Sequence, residues 1–206
     1  MTRYELKNVA SLPDPKADPA VLVGIPGWRR RHILSYLRPQ DRKLSLGAWR
    51  LLERMLKQHG ISALDVTAGA NGKPACAGIC FNLSHCADLV LCAVSDVPVG
   101  CDIEKITDAP MEIAERYFSE NERRYLSGAG DSSERNHRFF KLWTIRESYL
   151  KMTGEGMGLP LERIAVEPDT YTLWRDRAAQ PCVVQSFTQG GYAVSICTAA
   201  RGRART

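Results

Sequence analysis

The sequence predicts an α+β fold with two halves, and three observations support this class. Apolar residues recur at helical spacing over residues 35–58, whereas apolar runs within 79–106 have the length and alternation of strands. Helical patterns followed by strand patterns occur again between residues 110 and 198. We therefore expect one half at 1–100 and another at 101–206, with ligands bound at the seam between them.

The helix predicted over 35–58 is amphipathic and ends before Gly60, because glycine commonly follows a helix terminus. Its helical repeat predicts a buried stripe of Leu44, Ala48, Leu51, Leu52 and Met55. A loop follows at 68–76, where Asn-Gly and Lys-Pro pairs occur.

Three strands are predicted after this loop, at 79–86, 87–95 and 99–106. The middle strand is a continuous apolar run, which is typical of a strand buried on both faces. The third alternates and should place one apolar face in the core, formed by Val99, Cys101 and Ile103.

The sequence of the second half predicts three helices. Two short ones are expected at 110–118 and 119–126, and Ser119 with Glu122 fits the capping box that begins the second. A longer helix over 135–154 ends at its final glycine. The residues of this helix that we expect to face the core are Phe140, Trp143, and Tyr149 or Leu150.

The remaining strand patterns follow that long helix. One strand is expected at 161–168, and a hairpin over 182–198 turns at the Gln-Gly-Gly of 189–191.

Composition limits the class of partner. Lysine and arginine (28) exceed aspartate and glutamate (23), so the formal net charge is +5, which suits a phosphate-bearing ligand or an acidic protein and does not indicate nucleic acid. No apolar run reaches the roughly 18 residues of a membrane helix, and no signal-peptide core is present. We expect a cytoplasmic protein without membrane partners, whose seven cysteines are reduced thiols.

Two carboxylates lie two residues apart on the strand predicted at 99–106. Alternation puts Asp102 and Glu104 on the same face, where two like charges repel unless a cation lies between them. Hard carboxylate oxygens suit Mg²⁺. The alternative is a half-exposed strand with a solvated acidic face.

A second charged pair lies on the long helix of the second half. Glu147 and Lys151 are four residues apart and share a face, which by itself indicates a surface ion pair. The surrounding segment 139–151 is strongly apolar, however, so Glu147 should lie near a buried surface and need a partner.

Two further polar residues could bind phosphate. His85 follows Ser84 where a short strand ends and could donate to a phosphate or serve as acid or base, and Lys73 follows a glycine in a loop. Ser84 could be a nucleophile, but no Gly-x-Ser-x-Gly motif surrounds it. Each could equally be an ordinary polar surface residue. No P-loop and no Gly-x-Gly-x-x-Gly motif is present, so the sequence does not support nucleotide binding by those backbone cradles.

Four segments together resemble the Sfp-type 4′-phosphopantetheinyl transferases. They are GKP at 72–74, FNLSH at 81–85, GCDIE at 100–104 and WTIRESYLK at 143–151. Each motif is weak alone, but four in the family's order with compatible gaps are a specific signal. The resemblance extends from residue 41 to about residue 161 of the chain.

The resemblance implies a pseudo-twofold pair of similar α/β halves with the active site at their interface. It implies an enzyme that transfers the 4′-phosphopantetheine arm of coenzyme A to a serine of an acyl or peptidyl carrier protein. Adenosine 3′,5′-bisphosphate is released, and the reaction depends on Mg²⁺. The expected partners are coenzyme A and the carrier protein, and we expect a monomer that binds neither nucleic acid nor membrane.

The resemblance also assigns roles in the second half. Asp102, Glu104 and Glu147 would be the Mg²⁺ ligands, and Glu147 would also be the general base that takes the proton of the carrier serine. Lys151 would bind the pyrophosphate and assist the leaving group. Arg146 stands where the family usually has lysine, so we do not include it among the catalytic residues.

In the first half, the resemblance implies contacts to the phosphates of coenzyme A. Ser84, His85 and Lys73 would make these contacts. Lys43, four residues before a glycine as the family pattern asks, would meet the 3′-phosphate, although Arg42 could substitute.

Three questions stay open at this point. A Mg²⁺-dependent phosphotransferase or phosphodiesterase that uses water would explain the carboxylates but not the whole motif set. A non-catalytic binder of coenzyme A or of carrier proteins would not need the intact charged residues. The segment 111–125 could dock an acidic carrier helix through its arginines and apolar residues, or could simply pack into the core.

Overall fold

The computed structural model describes residues 1–69 and 74–201, and the chain divides into two compact units, Met1–Asp96 and Val97–Thr206. Helices and sheets occur in both units, which confirms the α+β class. The division lies four residues before the boundary expected at 100/101, so the whole predicted strand at 99–106 belongs to the second unit.

The first unit combines two helices with two antiparallel sheets. Its elements are β1 (Arg3–Asn8), α1 (Gly27–Ser35), α2 (Pro39–Lys57), β2 (Thr67–Ala68), β3 (Pro74–Ala75), β4 (Cys80–Cys86) and β5 (Leu89–Ser95). The larger sheet has the strand order β1-β5-β4, and β2 pairs with β3. Helix α2 packs on the larger sheet, chiefly against β5.

The core of the first unit lies between α2 and the larger sheet. The predicted stripe is buried at all five positions, Leu44, Ala48, Leu51, Leu52 and Met55. It meets the side chains on one face of β5, which are Val90, Cys92 and Val94. Burying each large aliphatic side chain stabilises the unit by about 1.5–3 kcal/mol, so this stripe favours the packing of α2 on the sheet.

The helix predicted over 35–58 begins later than expected, at Pro39. Proline is favoured at the first position of a helix, and it disfavours the helical conformation in the residue before it. Arg38 is accordingly extended, with φ −84° and ψ 137°. The separate helix α1 and the strand β1 were missed, because their short sequences are rich in charged residues and carry few apolar ones.

The second unit contains three helices and two three-stranded antiparallel sheets. Its elements are β6 (Val99–Lys105), α3 (Met111–Tyr117), α4 (Glu120–Ser127), α5 (Ser132–Thr153), β7 (Ile164–Val166), β8 (Leu173–Arg175), β9 (Ala178–Ala179), β10 (Cys182–Gln189) and β11 (Tyr192–Ala199). The strand orders are β10-β11-β6 and β7-β8-β9. The short strands β8 and β9 were not predicted.

The capping box, the glycine after the long helix and the hairpin turn predicted for the second unit are confirmed. Ser119 and Glu122 form the capping box at the start of α4. Gly154 follows α5 in the left-handed conformation with φ 77°, which a residue with a Cβ adopts only at a cost. The hairpin turns at Gly190 and Gly191, both with positive φ.

Helix α5 crosses the sheet in unusually close contact with β6. A Cβ atom added to Gly100 would lie 2.0 Å from the carbonyl oxygen of Ser148 and 2.3 Å from the amide nitrogen of Met152. Only glycine allows this approach. Because residues two apart on a strand share a face, Asp102 and Glu104 also point to the α5 side of the sheet.

No helix in the two described ranges is long and apolar enough to cross a lipid bilayer.

We predict that Gly100→Ala separates α5 from β6 and lowers the free energy of unfolding by about 1–3 kcal/mol or more, because the methyl group meets backbone atoms that cannot move aside. Urea denaturation followed by circular dichroism measures this loss. Gly158→Ala is the matched control, since a Cβ there meets nothing within 4 Å and φ is not positive. Equal stability of the two variants would contradict the close packing.

Candidate functional site

A cluster of charged side chains lies where α5 faces β6, and we call it the carboxylate cluster: Asp102, Glu104, Glu147 and Lys151. Lys151 Nζ donates to Asp102 Oδ1 at 2.6 Å. The Asp102 side chain is only 5% exposed and the Lys151 side chain 31% exposed. The pair is therefore poorly screened by water and stronger than a surface ion pair.

The pKa of Glu147 shows that the acidic groups influence each other. Burial raises this pKa, and the negative charge of Asp102 raises it further. Lys151 acts in the opposite direction, while Glu104 adds a smaller increase. Glu147 is thus a carboxylate in a partly desolvated position with like charges nearby, and it gains a proton more readily than an exposed glutamate.

Lys151 keeps its charge in this environment. Burial by itself would lower its pKa, but the charge of Asp102 and the hydrogen bond to it outweigh this effect and raise the pKa. The cluster therefore contains one permanent cation among three acidic groups.

The register between α5 and the sheet is held by buried hydroxyl groups. Thr144 Oγ1 and Ser195 Oγ share a hydrogen bond of 2.8 Å, and both residues are fully buried. Ser195 on β11 pairs directly with Asp102 on β6. Since Glu147 and Lys151 follow Thr144 by about one and two turns, this contact helps to bring their side chains to the acidic face of β6.

Both alternatives drawn from the sequence for these charged pairs differ from the structure. The half-exposed strand is wrong, because β6 is buried continuously from Val99 to Ile103 and only half-exposed at Glu104. The plain surface pair between Glu147 and Lys151 is also not observed, since Lys151 forms its ion pair with Asp102 across the helix–strand contact.

The donor chemistry of the cluster fits a hard divalent cation, although the side chains are not arranged around one. Within residues 1–69 and 74–201, no group of three histidine, cysteine, aspartate or glutamate side chains is close enough to hold a metal ion. The three acidic groups nevertheless supply only carboxylate oxygens, which Mg²⁺ prefers. A divalent cation would also relieve the mutual repulsion that raises the pKa of Glu147.

An apolar cavity of about 400 Å³ adjoins Glu147 on the side of the long helix. It is lined by Tyr117, Trp143, Glu147, Leu150, Leu159, Pro160, Leu161 and Glu162. Trp143 was predicted to face the core, but it is half-buried and forms part of this wall. The sequence did not reveal the cavity, because the lining residues come from three separate segments that only the tertiary fold brings together.

Arg146 has a structural role, which supports leaving it out of the catalytic residues. Its side chain is fully buried, and its Nη2 donates to Glu122 Oε2 at 2.6 Å and its Nε to Glu122 Oε1 at 3.2 Å. Nη1 donates to the carbonyl of Leu161, and the guanidinium lies over the ring of Phe118. Burial lowers the pKa of Arg146, and Glu122 opposes that shift.

Glu122 joins three elements. Besides Arg146 on α5, its carboxylate accepts a hydrogen bond from the backbone of Ser119 at the start of α4 and another from the backbone of Val166 on β7. The capping box predicted from the sequence is therefore also the partner of a buried cation. The sequence spacing indicated the first role and carried no signal for the second.

Arg42 and Lys43 differ in burial and in hydrogen-bond partners. Arg42 is buried and donates to both carboxylate oxygens of Asp14 at 2.6 Å, and also to the carbonyls of Tyr36 and Leu37. Its hydrogen-bonding capacity is nearly used within the fold. Lys43 is half-buried, and its Nζ lies 3.5 Å from the carbonyl of Ala10, so it is the better candidate for a phosphate ligand.

The structure does not place Ser84 and His85 together. They are consecutive residues of β4, so Ser84 is buried on one face of the sheet while His85 is exposed on the other. Strand alternation could have revealed this from the sequence. Lys73, the third predicted contact, lies outside the described residues.

Lys43 and His85 do lie at the same end of the first unit. Gln40, in the first turn of α2, donates to the carbonyl of Ala87 and to the carboxylate of Asp88, which form the turn directly after β4. The start of α2 therefore contacts the end of the strand that carries His85.

The segment 111–125, which could dock a carrier protein, is partly buried in the core. Phe118 is buried and stacks on Phe139, and Arg123 donates to the carbonyl of Phe118. Arg124 is exposed and pairs with Glu120 at 2.9 Å. The exposed arginine is available to a partner, whereas Phe118 is not.

Comparison with known proteins gives consistent matches. The family model described as the 4′-phosphopantetheinyl transferase superfamily matches residues 98–197, which include the carboxylate cluster. The chain is 37% identical over 121 residues to 4′-phosphopantetheinyl transferase gsp of Aneurinibacillus migulanus, covering 57% of this chain and 51% of that protein. It is 34% identical over 123 residues to Sfp of Bacillus subtilis strain 168, covering 58% and 54%.

A longer match extends to 4′-phosphopantetheinyl transferase ffp of Bacillus subtilis. It has 32% identity over 152 residues and covers 69% of this chain and 67% of that protein. With gsp and Sfp, by contrast, the match spans only about half the length of each relative.

We predict that Arg146→Met lowers the free energy of unfolding by about 3–5 kcal/mol, because it leaves the buried carboxylate of Glu122 without its cation. Arg146→Lys keeps the charge but not the two-pronged contact, so its loss should be smaller. The double variant Glu122→Gln/Arg146→Met should be more stable than Arg146→Met alone. Urea denaturation measures all three, and a double variant no more stable than Arg146→Met would contradict the pairing.

A second prediction concerns pH. The hydrogen bond from Arg42 holds the pKa of Asp14 at about 2, below its ordinary value of 3.8. This contribution to stability is therefore complete above about pH 4–5 and is lost as the pH falls toward 2. Asp14→Asn should be less stable than the wild type at pH 7, and the difference should shrink between pH 4 and 2. Asp65→Asn, at an exposed aspartate of the same unit, is the control and should show no comparable trend.

Proposed function

Because the chain belongs to the Sfp-type 4′-phosphopantetheinyl transferase family, we propose that it transfers the 4′-phosphopantetheine arm of coenzyme A to a serine of an acyl or peptidyl carrier protein. Adenosine 3′,5′-bisphosphate is the second product. The observation that carries this proposal is the carboxylate cluster, in which a lysine and three acidic groups converge on the helix–strand contact of the region that the family model matches.

The reaction sets clear demands on the site. A serine hydroxyl attacks the β-phosphorus of coenzyme A, and the leaving phosphate accumulates negative charge. Positioning and electrostatic stabilisation dominate such transfers. Asp102, Glu104 and Glu147 would hold Mg²⁺, which when bound offsets the charge of the diphosphate.

Glu147 is suited to accept the proton of the attacking serine. Its pKa is raised by burial and by the neighbouring carboxylates, and a general base works best when its pKa approaches the ambient pH. Its side chain borders both the cluster and the apolar cavity of about 400 Å³, so it faces a space that can admit a substrate group.

Lys151 is suited to stabilise the leaving group. Its raised pKa keeps it protonated at neutral pH, and its partial exposure leaves the ammonium accessible. Asp102 positions this ammonium through the 2.6 Å hydrogen bond, which restricts the long side chain before a substrate binds.

We assign the phosphate contacts of coenzyme A to the first unit. Lys43 and His85, at the same end of that unit, would bind the 3′-phosphate. Ser84, on the opposite sheet face, would contact a different part of the coenzyme, and Lys73 completes the proposed set. The second unit would carry the metal ligands and the catalytic helix α5.

We further propose that the protein acts in the cytoplasm as a monomer. The support for the compartment is that the seven cysteines, all within the described part of the chain, are free thiols.

The decisive experiment incubates the full chain with coenzyme A, Mg²⁺ and an apo carrier protein, and then measures the intact mass of the carrier. A gain of one phosphopantetheine arm supports the transferase. Release of adenosine 3′,5′-bisphosphate without carrier modification indicates a hydrolase that uses water. Coenzyme A binding with neither product indicates a non-catalytic binder.

We predict that Glu147→Gln reduces the single-turnover rate of transfer by ~10² or more at saturating coenzyme A and Mg²⁺, because the amide cannot accept a proton. Coenzyme A affinity should weaken only modestly. Glu162→Gln is the matched control: this exposed glutamate lines the same cavity but has no place in the carboxylate cluster. A wild-type rate for Glu147→Gln would overturn both the base role and the metal role of this residue.

A further inference from the structure

Two cysteines lie side by side on the sheet of the second unit. Cys182 pairs with Ala199, and Val184 pairs with Cys197, in the antiparallel register of β10 and β11. Paired residues share a face, as do residues two apart on one strand, so Cys182 and Cys197 are diagonal neighbours on one face. That face packs against α5, where Cys197 Sγ lies 3.6 Å from Met152 Sδ.

The two thiols differ in exposure and in acidity. Cys197 is fully buried, whereas Cys182 is half-buried. A hydrogen bond from Cys197 lowers the pKa of Cys182, and the lowering outweighs the opposing effect of burial. The same hydrogen bond, together with burial, raises the pKa of Cys197. Cys182 is half-buried and Cys197 fully buried, so Cys182 is the thiol that an oxidant reaches first, and Cys197 lies beside it in the core.

Oxidation-sensitive cysteines in proteins share these features: an accessible thiolate with a second thiol within reach. We propose that Cys182 and Cys197 form a reversible redox pair that closes to an intramolecular disulfide in response to hydroperoxides. This inference goes beyond the proposed transferase function and does not depend on it.

The chemistry balances with hydrogen peroxide as the oxidant. The Cys182 thiolate attacks one peroxide oxygen, the O–O bond breaks, and the sulfur becomes a sulfenic acid while one water is released after protonation. The Cys197 sulfur then attacks the Cys182 sulfur, and the hydroxyl group leaves with the Cys197 proton as a second water. The two thiols lose two electrons and two protons, and the peroxide is reduced to two waters.

Closing the disulfide needs a small local movement. Diagonal neighbours in a sheet have Cα atoms about 7–8 Å apart, slightly beyond the usual span of a disulfide. Cys182 is the first residue of β10, and β10 is an outer strand in the order β10-β11-β6. A strand end at a sheet edge shifts more easily than a central strand, because fewer ladder hydrogen bonds hold it.

The bond would form beside Met152, the residue that follows Lys151 on α5. The sulfur of Cys197 lies 3.6 Å from Met152 Sδ, so the new bond would form in contact with α5. The disulfide would therefore lie near the C-terminal end of α5, which carries Lys151.

The test uses the full chain, fully reduced and then treated with a slight excess of hydrogen peroxide. We expect a mass loss of about 2 Da, a proteolytic fragment that links Cys182 to Cys197, and full reversal by dithiothreitol. A linkage between other cysteines, or oxidation of other cysteines before this pair, would overturn the proposal.

Three cysteine variants test which thiols react with the peroxide. Cys182→Ala should not lose the 2 Da, whereas Cys197→Ala should stop at a sulfenic acid on Cys182, a gain of about 16 Da that dimedone traps. Cys76→Ala is the matched control and should behave as the wild type, since Cys76 is also half-buried but burial raises its pKa.

Because Cys197 lies in the core, Cys197→Ala could lose its fold, and competitive alkylation of the wild type gives an independent measure. Iodoacetamide should modify Cys182 at least about tenfold faster than Cys76 at pH 7. Equal rates for these two thiols would contradict the difference in reactivity on which the pair depends.

Discussion

The close approach of α5 to β6 at Gly100 is the constraint on which the second unit depends. Helices normally pack on sheets through a layer of side chains, but here the backbone of α5 meets the strand directly, since any Cβ would lie 2.0 Å from a carbonyl oxygen. The short distance lets Lys151 reach Asp102 and brings Glu147 within electrostatic influence of Asp102 and Glu104. A side chain at position 100 would push these groups apart, so the acidic strand face and the charged helix face would no longer form one cluster.

This arrangement concentrates charge where water is partly excluded. Asp102 is buried, and its repulsion of Glu147 is only partly offset by Lys151. Such a cluster contributes little to stability, because desolvation of the charged groups opposes their attraction. The cluster suits the transfer that we propose, because that reaction would use a carboxylate with a raised pKa, a permanently charged amine and further acidic oxygens.

A different charged pair anchors α5 in the core. Arg146, adjacent in sequence to Glu147, points into the core and pairs with Glu122, whose carboxylate also caps α4 and contacts β7. The planar guanidinium satisfies both oxygens of Glu122 and still reaches the carbonyl of Leu161, which a lysine ammonium cannot do with the same geometry. Consecutive residues of α5 thus serve the fold and the candidate site separately, because they lie about 100° apart around the helix.

The local geometry of this protein could be predicted from the order of its amino acids. Strand alternation put Asp102 and Glu104 on one face, helical spacing put Glu147 and Lys151 on another, and the capping box and terminal glycines set the helix ends, because these features depend only on neighbouring residues. Only the folded chain shows that the two charged faces meet and that Lys151 pairs with Asp102. The same holds for the pairing of Arg42 with Asp14, which leaves Lys43 as the more accessible cation. Those outcomes depend on contacts between residues distant in the chain, whose partners are chosen by packing and desolvation and leave no periodic signal in the sequence.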